Sequence, residues 1–268
     1  MGQNVVIIGD GIAGATAAVA ARKRDPDAQI TIITDEPEPL YNRVQIKDFA
    51  KGQRDEASTF IHDLGSYDKN NLRLRLNTRV VEVRDAENRL VTADGTRYSY
   101  DKLLLATGGT PRKLPVDGGR AEGVFTFWTF GDARRILAAA KEADHGVVVG
   151  AGLLGIDLAV VFGVHGVDTK YLMRGDRWWR DGLSKAGSAI VERGLAKIGV
   201  ECVFGENVER FVTEKGRITH AVATSGKVYA ADIAGVAIGL RYNHDFLKGS
   251  RVKVGEGVLT DELMRTSV

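Results

Sequence analysis

The pattern G-x-G-x-x-G occurs twice in this chain, each time between an apolar run and a stretch rich in small residues. The first copy spans residues 9–14 and the second spans residues 150–155. One copy alone is weak evidence, because a chain this rich in glycine is expected to contain about 0.4 such patterns by chance. Two copies in the same strand, loop and helix setting are much harder to obtain by accident. They constrain the fold of nearly the whole chain.

Each loop predicts a phosphate-binding turn in which the three glycines have separate physical roles. The first glycine permits a tight turn, the second lets the backbone approach a pyrophosphate, and the third lets the helix pack closely on the strand. The N–H groups at the start of the helix are then free to bind the phosphates. The candidate contacts are Gly9, Gly11, Ile12, Ala13 and Gly14 in the first loop, and Gly150, Gly152, Leu153, Leu154 and Gly155 in the second. The sequence therefore predicts two dinucleotide sites.

The residues around the loops predict two strand–helix–strand units. Apolar runs at 5–8 and 30–34 flank a helix expected over 12–21, which Asp25-Pro26-Asp27 would end. The same order returns at 147–149, 153–162 and 169–173. Because a helical crossover joins parallel strands, each unit predicts a parallel sheet with helices on its faces.

Alternating apolar and polar segments follow each unit and predict a small antiparallel β-meander in each domain. These segments are 79–84, 89–93 and 102–106 in the first half, and 208–213, 217–223 and 233–238 in the second. We predict an α/β fold with two Rossmann-like three-layer dinucleotide-binding domains, the second inserted in the first. The expected boundaries are 1–115 for the first part of the first dinucleotide-binding domain, 116–235 for the second dinucleotide-binding domain and 236–268 for the incomplete return segment of the first.

An acidic residue that accepts the ribose hydroxyls is expected about 20 residues after such a loop, at the end of the second strand. Asp35 directly follows the second apolar run and suits an adenosine with a free 2′-OH, as in FAD or NAD. At the end of the matching strand in the second unit stand Met173 and Arg174. Arg174 and Arg177 would favour the 2′-phosphate of NADPH, whereas Asp176 would favour NADH. The sequence leaves this choice open.

Composition narrows the class of protein. Thirty-seven Lys and Arg against 35 Asp and Glu give a net charge of +2, which indicates neither a nucleic-acid partner nor an anionic membrane. No apolar run is long enough to span a membrane. The scarcity of cysteine favours a reducing, cytoplasmic setting. The single cysteine, Cys202, excludes a dithiol or multi-cysteine metal site within this chain, and the histidines lack metal-ligand spacing. Cys202 lies in an apolar run, where we expect a buried, unreactive thiol.

Residues 103–112, Leu-Leu-Leu-Ala-Thr-Gly-Gly-Thr-Pro-Arg, resemble the Ala-Thr-Gly segment of the two-dinucleotide FAD- and NAD(P)-dependent oxidoreductases. Together with both glycine-rich loops, this resemblance covers nearly the whole chain. The branch it looks like comprises the rubredoxin and ferredoxin reductases and the flavin part of assimilatory nitrite reductases, within the pyridine nucleotide-disulfide oxidoreductase superfamily. Further matching segments are 36–37, 41–43, 78–80, 152–157 and 257–267.

The resemblance implies an enzyme that transfers a hydride from NAD(P)H to FAD and passes electrons to an external acceptor, such as a rubredoxin, a ferredoxin, an iron–sulfur subunit or oxygen. Beyond the first loop, the implied FAD contacts are Asp35, Arg43, Val80, Thr107 and Gly108. Asp157 stands where the family usually has a Glu near the flavin, with Arg43 or Lys47 as its basic partner. Segment 40–49 lacks the cysteines of disulfide-reducing members, so disulfide reduction through a protein thiol is not expected.

Family members continue beyond the Met-Arg-Thr-Ser-Val segment into a Gly-Asp turn that binds the flavin chain and then into a C-terminal interface domain. The resemblance therefore leaves three alternatives: a truncated chain, a C-terminal partner chain that supplies the missing part, or weakened flavin binding. We expect FAD to be retained only partly, with a C-terminal partner chain or self-association as the possible partners. The alternative function is a non-catalytic dinucleotide-binding module or one subunit of a split flavoprotein.

Overall fold

The computed structural model describes residues 2–268 and shows a mixed α/β fold whose chain divides into two compact units. The first unit comprises the residues through Asn42, Phe60–Thr110 and Arg241–Val268. The second comprises Arg43–Thr59 and Pro111–Leu240. In chain order the second unit is inserted in the first. It also includes Arg43–Thr59, which sequence analysis grouped with the first domain.

The helices and strands follow one another in a repeated order. The strands are β1 (Asn4–Ile8), β2 (Gln29–Ile33), β3 (Leu72–Arg75), β4 (Val80–Arg84), β5 (Arg89–Thr92), β6 (Arg97–Ser99), β7 (Lys102–Leu105), β8 (Gly109–Pro111), β9 (Val124–Phe125), β10 (His145–Val149), β11 (Asp168–Met173), β12 (Val200–Phe204), β13 (Val208–Glu214), β14 (Arg217–Ala223), β15 (Val228–Ala230), β16 (Ile233–Val236) and β17 (Leu240–Tyr242). The α-helices are α1 (Ile12–Arg24), α2 (Ile46–Ala50), α3 (Leu64–Lys69), α4 (Phe130–Ala140), α5 (Leu153–Val164) and α6 (Lys185–Ala196). Short 3-10 helices lie at Ala57–Thr59, Asp85–Glu87 and Asp245–Leu247.

Four parallel strands form the main sheet of the first unit, in the order β3-β2-β1-β7. The chain leaves β1 through α1 to reach β2 on one side, and it later returns to β7 on the other side. The strand order therefore reverses at β1. Sheets of this kind bind ligands beyond the carboxyl ends of the strands, at the point where the order reverses. The first glycine-rich loop lies at this point.

The second unit repeats this arrangement in a five-stranded parallel sheet with the order β12-β11-β10-β16-β9. Its order reverses at β10, which continues through the second glycine-rich loop into α5. The apolar side chains of β10 and β11 are buried, as expected for parallel strands covered on both faces. Both sheets confirm the predicted strand–helix–strand units.

Each unit also has a three-stranded antiparallel sheet, β4-β5-β6 in the first and β13-β14-β15 in the second. These sheets confirm that each unit has a meander. The prediction that residues 102–106 and 233–238 form the third strands of the meanders was wrong. Those residues form β7 and β16, which join the parallel sheets beside β1 and β10. The third meander strands are instead β6 and β15, which are three residues long and largely exposed, and so lack an apolar pattern.

Helix α1 is three residues longer than expected, because the basic residues that precede Asp25 still fit its last turn. Arg22 donates hydrogen bonds to the carbonyl oxygens of Pro26 and Asn71, each at 2.7 Å, and cations are favourable at a helix C-terminus. Asp25 ends the helix with its N–H bonded to the carbonyl oxygen of Ala21. No helix within residues 2–268 is long and apolar enough to cross a membrane.

Candidate dinucleotide-binding sites

The loop after β1 places its three glycines in different environments. Gly9 has a φ of +107°, and a Cβ there would clash with the carbonyl oxygen of Ala106 just beyond β7. A Cβ on Gly14 would clash with the carbonyl oxygen of Gly9, because α1 packs directly on the end of the strand. A Cβ on Gly11 would meet no atom within 4 Å. The fold therefore requires the first and third glycines, whereas the second faces open space.

The loop after β10 has the same division of roles. Gly150 has a φ of +118°, and a Cβ there would clash with the carbonyl oxygen of Ala237, just beyond β16. A Cβ on Gly155 would clash with the carbonyl oxygen of Gly150 and with the hydroxyl of Tyr171. Gly152, like its counterpart in the first loop, has no atom within 4 Å of a Cβ position. Two loops of the same geometry thus follow the central strands of the two sheets.

Both loops lead into helix N-termini that suit an anion. The N-caps of α1 and α5 are Gly11 and Gly152, so no side chain caps the first turn, and neither first turn contains an acidic residue. Ile12 and Leu153, which open the two helices, are 67% and 58% exposed. Ala13 is also exposed, and Leu154 is half-buried. Because unbonded N–H groups and the helix dipole attract phosphates, the residues present fit a dinucleotide pyrophosphate at each loop.

Strand pairing identifies which residue of the second unit occupies the position of Asp35. The first glycine of each loop donates its N–H to the second strand, to the carbonyl oxygen of Ile33 at 2.8 Å or of Leu172 at 3.3 Å. Two residues beyond these acceptors lie Asp35 and Arg174, and both are exposed. Arg174, and not Met173, is therefore the counterpart of the first unit's acidic residue.

The charged residues near Arg174 differ in how they are engaged. Arg177 forms an ion pair with Asp176, with Nη1 and Oδ1 3.1 Å apart, and also donates to the carbonyl oxygens of Arg180 and Leu183. Among residues 2–268, neither Asp35 nor Arg174 has a hydrogen-bond or ion-pair partner. Of the second unit's candidates, Arg174 therefore has the side chain that remains available to a ligand.

The Ala-Thr-Gly turn after β7 is held by a residue from the return segment. Thr107 donates its hydroxyl to the carbonyl oxygen of Asn243 at 2.8 Å, and the Asn243 side chain donates back to the Thr107 carbonyl at 3.1 Å. The Asn243 N–H also bonds to the carbonyl oxygen of Gly108. Asn243 was not identified from the sequence, because it lies 136 residues from Thr107 outside any motif.

Three of the residues that the resemblance assigned to the flavin site lie in the second unit. Lys47 on α2 forms an ion pair with Asp157 on α5, with Nζ and Oδ1 3.2 Å apart and both side chains partly exposed. Arg43 lies over the ring of Trp128 at 5.2 Å and donates to the Trp128 carbonyl oxygen. Of the two basic partners considered for Asp157, Lys47 is the one that makes the ion pair.

Val80 is only 8% exposed, and its side chain belongs to the apolar core of the first unit. Only its backbone is therefore suited to contact a ligand. Packing in the core, and not only a binding site, accounts for the position of Val80 at the start of β4.

A buried carboxyl group lies inside the first loop, at the position that Ala151 occupies in the second. Asp10 is 8% exposed, and its Oδ2 accepts a hydrogen bond from the Tyr67 hydroxyl at 2.6 Å. The Tyr67 oxygen in turn accepts from the N–H of Leu40 at 3.1 Å. Burial raises the pKa of Asp10 to about 6, although the bond from Tyr67 acts in the opposite direction. Sequence reasoning missed this residue because the loop pattern allows any amino acid there.

Cys202 lies on β12 and is half-buried rather than fully buried. Burial, together with the charges of Glu192 and Glu201, raises the pKa of its thiol to about 11. The thiol is therefore protonated at neutral pH, which agrees with the expectation of an unreactive cysteine. Trp178 is 5% exposed and Trp179 is 39% exposed, with ring centroids 5.6 Å apart, as in aromatic packing with one exposed edge.

Comparison with known proteins decides the family. The family model described as pyridine nucleotide-disulphide oxidoreductase matches residues 3–268. The chain belongs to this family. Among its members, the chain is 31% identical over 266 residues to rhodocoxin reductase of Rhodococcus erythropolis, covering 98% of this chain and 62% of that protein. It is 30% identical over 269 residues to the nitrite reductase [NAD(P)H] of Bacillus subtilis, covering 99% of this chain and 33% of that protein.

The fold of this chain also matches solved structures. The covalent complex of putidaredoxin reductase with putidaredoxin matches with a TM-score of 0.92 and 26% identity, covering 99% of this chain and 65% of that one. The chain thus spans between about one third and about two thirds of the proteins it matches. These matches establish the family and the fold of residues 3–268.

Proposed function

We propose that the first unit binds FAD, that the second binds NAD(P)H, and that the protein is a FAD-dependent NAD(P)H oxidoreductase. The main support is the duplicated loop geometry, in which a glycine faces open space at each helix N-terminus. A single nucleotide site would not require that geometry twice. Membership of the pyridine nucleotide-disulphide oxidoreductase family supports the pairing of a flavin with a nicotinamide cofactor.

In this proposal the residues of the first unit bind and orient FAD. The loop at 9–14 offers its N–H groups to the pyrophosphate, and the unpartnered carboxylate of Asp35 accepts hydrogen bonds from the ribose hydroxyls. The turn of Thr107 and Gly108 is the next element at the reversal point, and Asn243 fixes its backbone. When bound, FAD supplies the group that accepts the hydride.

In the second unit the loop at 150–155 binds the pyrophosphate of the nicotinamide cofactor, and Arg174 favours NADPH. Its guanidinium is exposed and unpartnered at the position where the first unit has an acid. A carboxylate there would accept a ribose 2′-OH and repel a 2′-phosphate, whereas an arginine binds the phosphate. We also assign Arg43, Lys47 and Asp157 to cofactor binding, as the family resemblance implies.

The final electron acceptor would lie outside this chain, and we propose that it is a small electron-transfer protein. Rhodocoxin reductase is named for rhodocoxin, and putidaredoxin reductase has been solved in a covalent complex with putidaredoxin. The cysteine content supports an external acceptor, because the only thiol in the chain is the protonated Cys202.

The proposal is tested with purified protein that has been supplied with FAD and freed of excess cofactor. We expect a yellow protein whose flavin absorbance is bleached by NADPH in the absence of oxygen, and less readily by NADH. A yellow protein that neither nucleotide bleaches would contradict the oxidoreductase function. A colourless protein that still binds nicotinamide nucleotide would instead support the alternative of a non-catalytic module.

Replacing Cys202 by serine should leave NAD(P)H-dependent reduction of an artificial dye unchanged within about twofold, because hydride transfer to flavin needs no thiol. The steady-state rate with a soluble dye, compared between the variant and the unaltered protein, checks this. Loss of flavin reduction in Cys202→Ser, with circular dichroism unchanged, would show that the thiol takes part in the reaction.

A further inference from the structure

Asp10 combines three features that the binding of a pyrophosphate does not by itself require. It lies between Gly9, which the fold requires, and Gly11, which faces the open space of the first site. Its side chain is buried, and its Oδ1 has no hydrogen-bond partner among residues 2–268. A buried carboxylate with an unpaired oxygen is strongly unfavourable, whereas the neutral acid loses much less on burial.

The groups around Asp10 act in both directions: the hydrogen bond from Tyr67 favours the carboxylate, whereas burial and the charge of Glu36 favour the neutral acid. The Tyr67 hydroxyl on α3 donates to Oδ2, and the ring of His62, which precedes α3, packs edge-on against the Tyr67 ring with centroids 5.7 Å apart. From the segment after β2, the negative charge of Glu36 faces Asp10 and raises its pKa, and the Glu36 carboxylate itself accepts from the Tyr41 hydroxyl. No lysine or arginine within residues 2–268 forms an ion pair with Asp10.

We propose that Asp10 holds a proton when the first site binds its dinucleotide, so that loading of FAD takes up protons near neutral pH. This inference rests on the proposed assignment of FAD to the first loop. A pyrophosphate bound at the N–H of the residue next to Asp10 adds negative charge beside a carboxyl group that is already difficult to ionise. Ionised Asp10 and bound pyrophosphate therefore disfavour each other, whereas the protonated acid and the pyrophosphate do not.

The expected result follows from the direction of this coupling. The pKa of Asp10 is about 6 without ligand and should rise when the pyrophosphate binds. If the rise is about one unit, the dissociation constant for FAD should increase about tenfold between about pH 5.5 and about pH 8.5. In Asp10→Asn, which resembles the neutral acid in shape, the dissociation constant should stay constant over this range.

Proton uptake can be measured directly by titrating the FAD-free protein with FAD in a calorimeter. Experiments at neutral pH in two buffers of different ionisation enthalpy give the number of protons bound with each FAD. We expect a fraction of a proton for the unaltered protein and none for Asp10→Asn. If Asp10 had only a structural role, the number of protons bound with FAD would be the same in Asp10→Asn and in the unaltered protein, because packing alone does not couple binding to a proton.

Two matched variants separate Asp10 from other titrating groups. Asp63→Asn makes the same substitution at an exposed carboxylate, whose pKa lies below its ordinary value because of the hydrogen bonds from Ser66. His62→Gln removes the histidine that packs on Tyr67. Both variants should retain the proton uptake and the pH dependence of the unaltered protein. Loss of proton uptake in His62→Gln, with normal uptake in Asp63→Asn, would overturn the assignment to Asp10.

Thermal unfolding provides a second measurement that does not involve FAD. Because folding raises the pKa of Asp10, its favourable contribution to stability is complete below its ordinary pKa of 3.8 and is lost as pH rises through about 6. Asp10→Asn should therefore raise the unfolding temperature more at about pH 8 than at about pH 5.

The possible failures are distinguishable. Tight FAD binding with the same affinity at every pH and no proton uptake would overturn the proton-linked role of Asp10 and leave the FAD site in place. Failure of the unaltered, folded protein to bind FAD at any pH would overturn the FAD assignment, and this inference with it.

Discussion

Replacing Gly11 by valine is expected to abolish FAD binding while leaving the protein folded. A Cβ at Gly11 meets no atom within 4 Å, and its φ of −77° is open to any residue, so the substitution introduces no clash within the chain. The valine side chain would instead fill the space through which a pyrophosphate approaches the N–H groups of α1. We expect the affinity for FAD to fall by about 100-fold or more, measured by flavin absorbance retained after gel filtration.

The duplicated architecture supplies the matched controls for this substitution. Gly152→Val places the same side chain at the second loop and should abolish binding of the nicotinamide nucleotide while FAD is retained. Gly11→Val should show the opposite pattern, with circular dichroism and unfolding temperature close to those of the unaltered protein. Retention of FAD in Gly11→Val would contradict the assignment of the first loop, and loss of both ligands in either variant would contradict two independent sites.

The first and third glycines of the loops should respond differently from the second. In Gly9→Ala the new Cβ would clash with the carbonyl oxygen of Ala106, and in Gly14→Ala it would clash with that of Gly9. Overpacking against backbone that cannot move is destabilising by roughly 1–3 kcal/mol, and the positive φ of Gly9 adds strain. These variants would change the stability and the backbone of the loop as well as the binding of ligand, so they cannot replace Gly11→Val as a test of the site.

The sequence could predict most of the architecture because the two strand–loop–helix units are local patterns. Apolar runs and the glycine loops span no more than about thirty residues each, so the parallel pairing of the two strands in each unit and the position of the helix between them follow from the sequence. The reversal of strand order depends on β7 and β16, which the sequence did not place in the parallel sheets. The β-meander strands β6 and β15 are too short and exposed to leave such a pattern. Their place was given instead to β7 and β16, whose apolar residues actually belong to the parallel sheets.

Residues defined by long-range packing could not be predicted. Asn243 forms hydrogen bonds with the Ala-Thr-Gly turn although it is 136 residues away in the sequence, and the residues around it form no motif. Arg43–Thr59 groups with the second unit because α2 packs with α4 and α5, as in the contact of Phe49 with Phe130 at 4.9 Å between ring centroids. The sequence predicted the return segment of the first domain, but composition and periodicity carry no signal that Arg43–Thr59 belongs with the second unit.

The choice between NADH and NADPH shows how strand register completes a sequence argument. The sequence left Arg174, Asp176 and Arg177 open as determinants, because the end of a strand is uncertain by a residue or two from pattern alone. In each unit the first glycine of the loop donates a hydrogen bond to the second strand. Asp35 and Arg174 each lie two residues beyond the acceptor of that bond, so Arg174 is the counterpart of Asp35. Because Asp176 and Arg177 form an ion pair with each other, Arg174 is the one of these three candidates without a partner among residues 2–268.

Arg174→Glu is therefore expected to reverse the preference for the nicotinamide cofactor. In the unaltered protein, hydrogen bonds from the guanidinium to a 2′-phosphate should favour NADPH over NADH by about 10- to 150-fold, the ratio that corresponds to roughly 1.5–3 kcal/mol. Glutamate at this position would repel the phosphate and accept a ribose 2′-OH. The ratio of kcat/KM for NADPH to that for NADH should fall by about a hundredfold or more, and the variant should prefer NADH.

Binding of adenosine fragments tests the same residue without the flavin. The unaltered protein should bind 2′,5′-ADP more tightly than ADP at the second site, and Arg174→Glu should reverse this order. Arg180→Glu is the matched control, because it makes the same charge reversal at an exposed arginine a few residues along the chain. If the effect were one of net charge, both variants would weaken 2′,5′-ADP binding equally. A large loss confined to Arg174→Glu would identify direct recognition of the phosphate, whereas a preference for NADH in the unaltered protein would contradict the role of Arg174.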